Sequence, residues 1–497
     1  MTCAGGWRGQ RAERWPPKRD GLSPVRTPKC GMKKMVRTLR DGHTTGFPSR
    51  RYATRIAIQA LCSPVVSLHL LRSPPDRRQG ASSNAPTRIR PNQQKQPTPM
   101  ATQSSNCSTT YKRLVAVYRS WQQLEQSGKY RPSYDIIDFD LARLDAVGHF
   151  ESRHSILSEL DGIAEALRSA SCADTRVVQD LQASRTFLRV LLGEKVPFDK
   201  YIWTLMGIHP ASVPEGRLAR MAEEIRHLLH LHGLAYTVED HLRYTTTFGV
   251  HSPEVLRERI LASRSFWLDR LAKVVQLPST LPIDITVVVK DEPWSFGLSG
   301  KPDGGILLEI NAHERHSFTT GQCDYIPSHE IAGHAVQFLS WKRSVERGEA
   351  PEVLALISTH HPTIALSEGL AQALPYFLCS QTDLPPEMLI AKKLREHRDA
   401  VLSNAQLMLW SGGSLDSAWK YAISQLPFAT ALEIERELAQ RSLDPLQSAY
   451  LYCYTPYFLA FKDLASRLDK RERLEFLQSQ YNSIPSVVAF WARCCGV

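Results

Sequence analysis

Apolar residues recur at spacings of three and four through most of the chain beyond residue 109, and this periodicity constrains the fold more than any other feature. One such stripe consists of Leu114, Val117, Trp121 and Leu124. A stripe with this period places apolar side chains on one face of a helix, where they must pack against a neighbour. Ser252 followed by Pro253 precedes another stripe and predicts a capped helix start. We therefore expect residues 109–277 to form a bundle of amphipathic helices.

A short β-rich segment interrupts the helical pattern near the middle of the chain. Residues 283–289 are compact and β-branched, and Gly304-Gly305 precedes a second run of strand character at 306–311. The helical pattern resumes at Pro327 and continues almost to the end. The composition, 42% hydrophobic and 22% charged, is sufficient for a large core. We predict a mainly α, helix-rich protein with a small β-sheet next to a helix that carries the chemistry.

The first 99 residues differ from the rest of the chain in charge. They contain 20 Lys and Arg but only four acidic residues, a net +16, so the remainder carries −5 of the total +11. Residues 1–99 are rich in Arg, Pro, Ser and Gln, and we predict that they are disordered. Three explanations stay open: an organelle-targeting presequence, translated sequence ahead of a true start at Met100, or an ordinary tail. The rest divides into a helical domain at 100–280 and a second region at 281–497, packed together as one unit.

Charge and hydropathy exclude two classes of partner. A body with a net charge of −5 offers no basic surface for nucleic acid. No run reaches the roughly 18 consecutive apolar residues of a membrane span, and the nearest, 56–71, is interrupted by polar residues. The 10 cysteines contain no CxxC pair, which favours reduced thiols. We expect a cytoplasmic protein, or an organelle-targeted one if residues 1–99 are a genuine presequence.

The strongest chemical signal is the hexapeptide HEIAGH, which spans 329–334. Two imidazoles that bracket a carboxylate suit hydrolytic zinc chemistry, because neutral imidazole binds Zn²⁺ and an adjacent Glu can accept a proton from water. We predict His329 and His334 as metal ligands and Glu330 as catalytic general base. Five positions correspond to about 140° around a regular α-helix, so sharing one ion requires a distortion such as a π-bulge. Gly333 would ease that adjustment.

Glu368 is the candidate for a third ligand. It lies 34 residues after His334, in an apolar helical stretch where a carboxylate needs solvent, a partner or a metal. Taken alone, Glu368 is more simply interpreted as an exposed residue, and His329 and His334 as hydrogen-bonded histidines of a core helix. Taken together, the three side chains form a catalytic set with a fourth position open for water. We predict a site for one zinc ion.

HEIAGH followed after some thirty residues by EGLA resembles the HExxxH zinc peptidases. These comprise the microtubule-associated tyrosine carboxypeptidases and bacterial relatives named for a QEGLA motif. The resemblance implies His329, His334 and Glu368 as ligands and Glu330 as the catalytic carboxylate. It departs from the family pattern at Ser367, where Gln or Glu would stand, and it covers about fifty residues closely.

HEIAGHAVQ is also similar to the HExxPGHxxQ pattern of a group of helical zinc peptidases, with one residue removed and Ala332 in place of Pro. The EGWA-like motif of that group again falls on Glu368, and its late Tyr-x-Pro segment corresponds to residues 454–456. Both resemblances imply the same four residues and a zincin-like fold, but they differ in substrate.

Supporting parts of such a site have several candidates. In zinc peptidases of this type the strand before the metal helix pairs with an extended substrate, which implies such a role for 306–311, unless this is an ordinary core strand. A second electrophile for the oxyanion could come from Tyr325, His360, His361, Tyr454 or Tyr457. The cations nearest in sequence for a terminal carboxylate are Arg315, Lys342 and Arg343. A nearby histidine pair, His313 and His316, is interpreted as part of a loop.

The sequence therefore predicts a zinc-dependent metallohydrolase that acts on a peptide or protein substrate, carboxypeptidase-like if the first resemblance is the closer one. Two alternatives stay open. One is a non-catalytic helical scaffold that retains a vestigial metal site, and the other is a zinc hydrolase of a non-peptide amide or ester.

Overall fold

The structure, a computed structural model, describes residues 105–495 apart from 143–147, 171–172, 293 and 315. The predictions made for residues 1–99, including disorder, targeting and a start at Met100, lie outside the described residues. The same holds for Arg315.

Helices make up most of the described chain, which confirms the mainly α prediction. In chain order the α-helices are α1 (Ser105–Gln126), α2 (Arg153–Arg168), α3 (Thr175–Leu191), α4 (Phe198–Met206), α5 (Glu215–His230), α6 (Val238–Thr247), α7 (Pro253–Leu271), α8 (Thr320–Ile326), α9 (Val336–Glu346), α10 (Pro362–Leu378), α11 (Pro386–Trp410), α12 (Leu415–Gln425), α13 (Ala431–Leu443), α14 (Pro445–Arg467), α15 (Lys470–Asn482) and α16 (Val487–Cys495). A π-helix, Pro327–Ala335, joins α8 to α9, and 3₁₀ turns occur at Glu352–Ala355 and Gln381–Asp383.

Several helices begin where the sequence supplies an N-cap. Ser252 accepts hydrogen bonds from the backbone N–H groups that follow, and Pro253 occupies the first turn of α7, as predicted. Thr319 and Gln322 form a reciprocal capping box at the start of α8, the helix that leads into the metal motif. Because these caps satisfy backbone N–H groups that have no partner inside the helix, the helix starts are fixed locally by the sequence.

Short strands lie among the helices. They are β1 (Phe139–Asp140), β2 (Gly249–Val250), β3 (Ile283–Val288), β4 (Phe296–Gly300), β5 (Ile306–Asn311), β6 (Phe318–Thr319) and β7 (Leu356–Ile357). The largest sheet has the order β3-β5-β4, with β3 parallel and β4 antiparallel to β5. β1 pairs with β7, and β2 pairs with β6. The sequence predicted β3 and β5 but not β4.

The position of β5 corrects one prediction. Ile306–Asn311 pairs with β3 along its whole length and with β4 from Ile306 to Ile310, so both of its edges are occupied. This strand is therefore not available for pairing with a substrate, and the prediction that it would do so is wrong. The other interpretation, an ordinary core strand, is correct, since Ile306, Leu308 and Ile310 are all buried. The outer strands of this sheet are β3 and β4.

One hydrophobic core extends from Cys107 in α1 to Phe490 in α16, and it draws on residues from both 100–280 and 281–497. Two smaller clusters pack between α5, α11 and neighbouring helices. Within the described ranges, no helix combines the length and apolar character that crossing a bilayer requires. The core thus surrounds the segments that carry the metal motif.

The cysteines only partly follow the expectation that they are reduced. Cys107 takes part in a disulfide, so the expectation is wrong for this residue. Cys323, Cys379 and Cys453 are free thiols.

Candidate metal centre

The histidines of the metal motif lie in the π-helix, Pro327–Ala335, every residue of which is buried. A π-helix closes its hydrogen bonds from i to i+5, so that side chains five positions apart point in a similar direction. The imidazoles of His329 and His334 accordingly meet, with their Nε2 atoms 3.2 Å apart. The distortion that the five-residue spacing predicted is present, and it extends over nine residues.

Two glycines let the helices around the centre approach each other closely. A Cβ on Gly333 would lie 2.6 Å from the Cβ of Ala371 on α10, closer than real carbon contacts. A Cβ on Gly369 would lie 2.4 Å from the Cβ of Tyr457 on α14. Because both positions lack a side chain, α10 can pack closely against the π-helix and against α14. These two helices carry the partners of Glu368.

Three donor atoms converge at the point where α10 meets the π-helix. Oε2 of Glu368 lies 3.1 Å from Nε2 of His329 and 3.3 Å from Nε2 of His334, and all three side chains are buried. A tetrahedral zinc ion with bonds of about 2.0–2.2 Å separates its ligands by about 3.3–3.6 Å. The observed separations fall within a few tenths of an ångström of that range, so the residues present fit a zinc ion. The structure thus brings the three predicted ligands together.

The hydrogen bonds behind His334 fix which of its ring nitrogens faces the centre. Ser367 donates its only hydroxyl hydrogen to Oε1 of Gln337 at 2.7 Å, and the amide nitrogen of Gln337 donates to the carbonyl of Gln480. Ser367 must then accept the 2.8 Å hydrogen bond from Nδ1–H of His334. Nε2 of His334 is left with a lone pair that faces the other donors. His329 differs, since its buried Nδ1 has no partner among the described residues.

Glu368 is held by a pair of tyrosines on α14. Tyr450 donates a hydrogen bond to Oε1 of Glu368, and Tyr454 donates to the hydroxyl of Tyr450 at 2.8 Å. This arrangement leaves Oε2 for the centre. Burial alone would raise the pKa of Glu368, but His334 and His329 outweigh it and hold the pKa well below its usual value. The carboxyl beside these two histidines therefore favours its ionised form.

A cavity of about 270 Å³ opens onto the centre. Its lining includes Glu330, His334 and Glu368, together with Asp138, Phe139, Phe296, Gly297, Leu298, Phe338, Thr359, Ile364, Tyr450 and Tyr454. Oε1 of Glu330 lies 3.8 Å from Nε2 of His329, beside the three donors rather than among them. The predicted base therefore shares the cavity with the predicted ligands.

Of the five candidates for a second electrophile, Tyr454 alone lines this cavity. Tyr457 donates to a backbone carbonyl at the end of α4, and His360 and His361 share a buried serine on α3. Tyr325 lies beside the ring of His329 with the centroids 5.9 Å apart, outside the cavity lining. Tyr450, which lies on α14 like Tyr454, also lines the cavity. The sequence did not indicate Tyr450, although it stands four residues before Tyr454.

Lys342 and Arg343, two of the cations near in sequence, have partners elsewhere. Lys342 pairs with Glu346 one helical turn away, and Arg343 donates to the backbone carbonyl of Gln276 at 3.1 Å. Neither of them lines the cavity. The histidine pair interpreted as part of a loop does lie in the segment between β5 and β6, as expected.

Comparisons with known proteins yield structural matches of low similarity. No protein-family model matches the chain, and no curated protein matches it. Among solved structures, the putative lipoprotein from Colwellia psychrerythraea matches with 14% sequence identity and a TM-score of 0.48, over 69% of each chain. A putative lipoprotein of unknown function from Shewanella oneidensis matches with 12% identity and a TM-score of 0.43, over 68% of this chain and 72% of that one.

Proposed function

We propose that this protein is a zinc-dependent metallohydrolase that cleaves peptide bonds, with His329, His334 and Glu368 as ligands and Glu330 as general base. The observation that carries the proposal is the convergence of three donor atoms within 3.3 Å, beside a cavity that contains a further carboxylate. Buried acceptors that face one another need a donor or a cation between them. Three protein ligands with one open position form the catalytic type of zinc site rather than the closed structural type.

Each residue of the cavity has a separate task in this proposal. Zinc held by such a set acidifies a water molecule and polarises a carbonyl group. Glu330 takes the proton from the attacking water and delivers it to the amine nitrogen as the C–N bond breaks, so that an acid and an amine leave. Ser367 and Tyr450 hold two of the ligands in orientation. Tyr454 is assigned as the hydrogen-bond donor to the developing oxyanion, for which its hydroxyl must turn from Tyr450 to the substrate.

The edge of β4 is the proposed binding surface for an extended substrate. Phe296, Gly297 and Leu298 line the cavity. In an antiparallel ladder, alternate residues direct their backbone groups to opposite sides of the strand. Since the N–H of Gly300 faces the carbonyl of Asp138 at 3.4 Å, Leu298 and Phe296 face the same way, away from β5. A peptide can add to these groups by β-augmentation, with its scissile bond over the cavity.

Zinc content tests the metal part of the proposal. After purification with zinc present and removal of loosely bound metal, atomic emission is expected to give about one equivalent per chain. The variant His334→Ala is expected to retain almost none. Less than about half an equivalent in the wild type would favour the non-catalytic scaffold.

Peptide cleavage tests the catalytic part. A mixed peptide library digested by the zinc-loaded wild type should give products that the variant Glu330→Gln fails to give, because the amide cannot accept the proton from water. Glu349→Gln, an exposed glutamate paired with Arg347, is the matched control and should cleave like the wild type. Equal cleavage by Glu330→Gln and the wild type would refute the peptidase assignment. Zinc-dependent turnover of small esters without any peptide cleavage would favour the non-peptide hydrolase.

A further inference from the structure

The charged side chains that line the metal cavity are mainly acidic. Among the described residues it contains three carboxylates, Asp138, Glu330 and Glu368, and the imidazole of His334, but no Lys or Arg. Glu368 is the proposed ligand and Glu330 the proposed base. Asp138 has no part in either task. A divalent ion would balance the charges of Glu330 and Glu368 and would leave Asp138 as an uncompensated carboxylate.

Asp138 lies in the segment just before β1. It contacts Thr359, which is distant in sequence and precedes α10. The hydroxyl of Thr359 donates to Oδ2 of Asp138 at 2.6 Å. No described Lys, Arg or His forms an ion pair with this carboxylate, in contrast to Asp140 two residues later, which pairs with Arg119. Burial raises the pKa of Asp138 to about 6, and the neighbouring Asp135 and Glu368 contribute to the rise. A partly buried carboxylate that has no ion-pair partner is stabilised when a cation binds to it.

Asp138 and the metal centre share one cavity of about 270 Å³, which Glu330, His334 and Glu368 also line. A cavity of this size holds a short stretch of extended chain. A group bound to Asp138 and a carbonyl placed at the metal centre can therefore belong to the same short peptide. The apolar walls formed by Phe139, Phe338 and Ile364 suit the side chain between them.

We propose that Asp138 binds the protonated α-amine of the substrate, so that the site acts at the free amino end of a peptide. This inference rests on the proposed peptidase function and names its substrate class. A carboxypeptidase would instead need a cation in the cavity for the terminal carboxylate. Arg395 lies over the ring of Tyr454 at 5.6 Å but is absent from the lining. A free carboxylate in this cavity would face Asp138 and Glu330 without a described counter-charge.

Binding of two hydroxamates to the zinc-loaded full chain tests the inference without requiring turnover. Leucine hydroxamate carries a free amine, and N-acetyl-leucine hydroxamate does not, while both chelate zinc through the same group. Calorimetry at pH 7.5 should show the free amine binding about tenfold more tightly, or better, to the wild type. Asp138→Asn should bind both ligands with affinities within about threefold of each other. Asp140→Asn, the control in the same segment, should keep the wild-type preference.

Each outcome separates this inference from the peptidase proposal. Equal binding of the two hydroxamates by the wild type, or failure of both to bind, overturns the assignment of Asp138. The wild-type comparison needs no variant, so it stands even if Asp138→Asn does not fold. Peptide substrates give a second readout, since N-acetylation should lower kcat/KM about tenfold or more and C-terminal amidation should leave it within about twofold. An amine preference in a protein that cleaves no peptide would refute the peptidase proposal alone.

Discussion

The substitution Ser367→Ala removes one hydroxyl from the hydrogen bonds behind the ligand His334. In the wild type this hydroxyl accepts from Nδ1 of His334 at 2.8 Å and donates to Gln337 at 2.7 Å, and Ser367 is fully buried. Without it, an imidazole N–H and an amide oxygen both lose their partner in a place that bulk water does not reach. The perturbation therefore acts on the orientation of a ligand without changing any ligand atom.

The structure gives the expected size of two separate effects. Each unpaired buried group costs about 1–3 kcal/mol, so the loss of both partners should lower the free energy of unfolding of the metal-free variant by about 2–6 kcal/mol. The amide oxygen of Gln337 is unpaired with or without zinc, so only the loss at His334 bears on metal binding. Removal of such a partner lowers metal affinity about 10–100-fold, which corresponds to about 1.4–2.7 kcal/mol.

Competition with a chelator of known zinc affinity measures the dissociation constant, and thermal melting of the metal-free protein measures stability. Gln337→Leu leaves the hydroxyl able to accept from His334, so zinc affinity should fall less than about tenfold while stability still falls. Ser403→Ala, an equally buried serine that bonds a backbone carbonyl and Thr455, is the matched control and should bind zinc like the wild type. A dissociation constant for Ser367→Ala within about twofold of the wild type would refute its role in positioning the ligand.

Three further predictions follow from other contacts. Gly333→Ala should lower the free energy of unfolding by about 1–3 kcal/mol and weaken zinc binding, because its Cβ would lie 2.6 Å from that of Ala371. Chemical denaturation measures the first effect and zinc titration the second. Wild-type values in both would contradict the close packing of Gly333 against Ala371. Tyr454→Phe should lower kcat about 100-fold with zinc content unchanged, and an equal loss of zinc would instead make it a structural support of Glu368. Burial raises the pKa of Asp180 to about 8, so the folded protein retains a proton that the unfolded chain loses above about pH 4. Wild-type stability should therefore fall by about 1.4 kcal/mol per unit between about pH 4 and 8 relative to Asp180→Asn, and parallel pH profiles from denaturant titrations would count against this.

Much of the fold and the centre of the site were accessible from the sequence because local rules govern them. Apolar spacing predicts helices such as α1, and the Ser252-Pro253 pair fixes the start of α7. Residue chemistry selected His329, His334 and Glu368, and the five-residue spacing predicted a distortion that the structure contains. These signals lie within a turn or two of the residues they concern.

The parts that the sequence did not predict depend on contacts between distant segments. β4 has the sequence FGLSG, in which two glycines weaken the strand signal, and it forms because β5 offers an edge. The same pairing makes β5 a central strand. Asp138 reaches the cavity from about 190 residues before His329, and nothing near it in sequence indicates a site. Ser367 departs from the motif of the family that the sequence resembles. Its hydrogen bonds with both His334 and Gln337 explain why a serine stands at this position.

Two buried imidazole nitrogens and a buried carboxylate oxygen that point at one another are an arrangement that folding alone does not favour. Ser367 turns a lone pair of His334 toward the centre, and Tyr450 takes one oxygen of Glu368 and leaves the other facing inward. Burial alone would lower the pKa of His334, yet the carboxylates of Glu368 and Glu330 raise it, so the electrostatic potential that these two groups create here is negative. A chain selected for stability alone would gain by filling such a position with apolar side chains. Because the surrounding hydrogen bonds instead hold the acceptors together, we infer that a cation is the partner for which the centre is built.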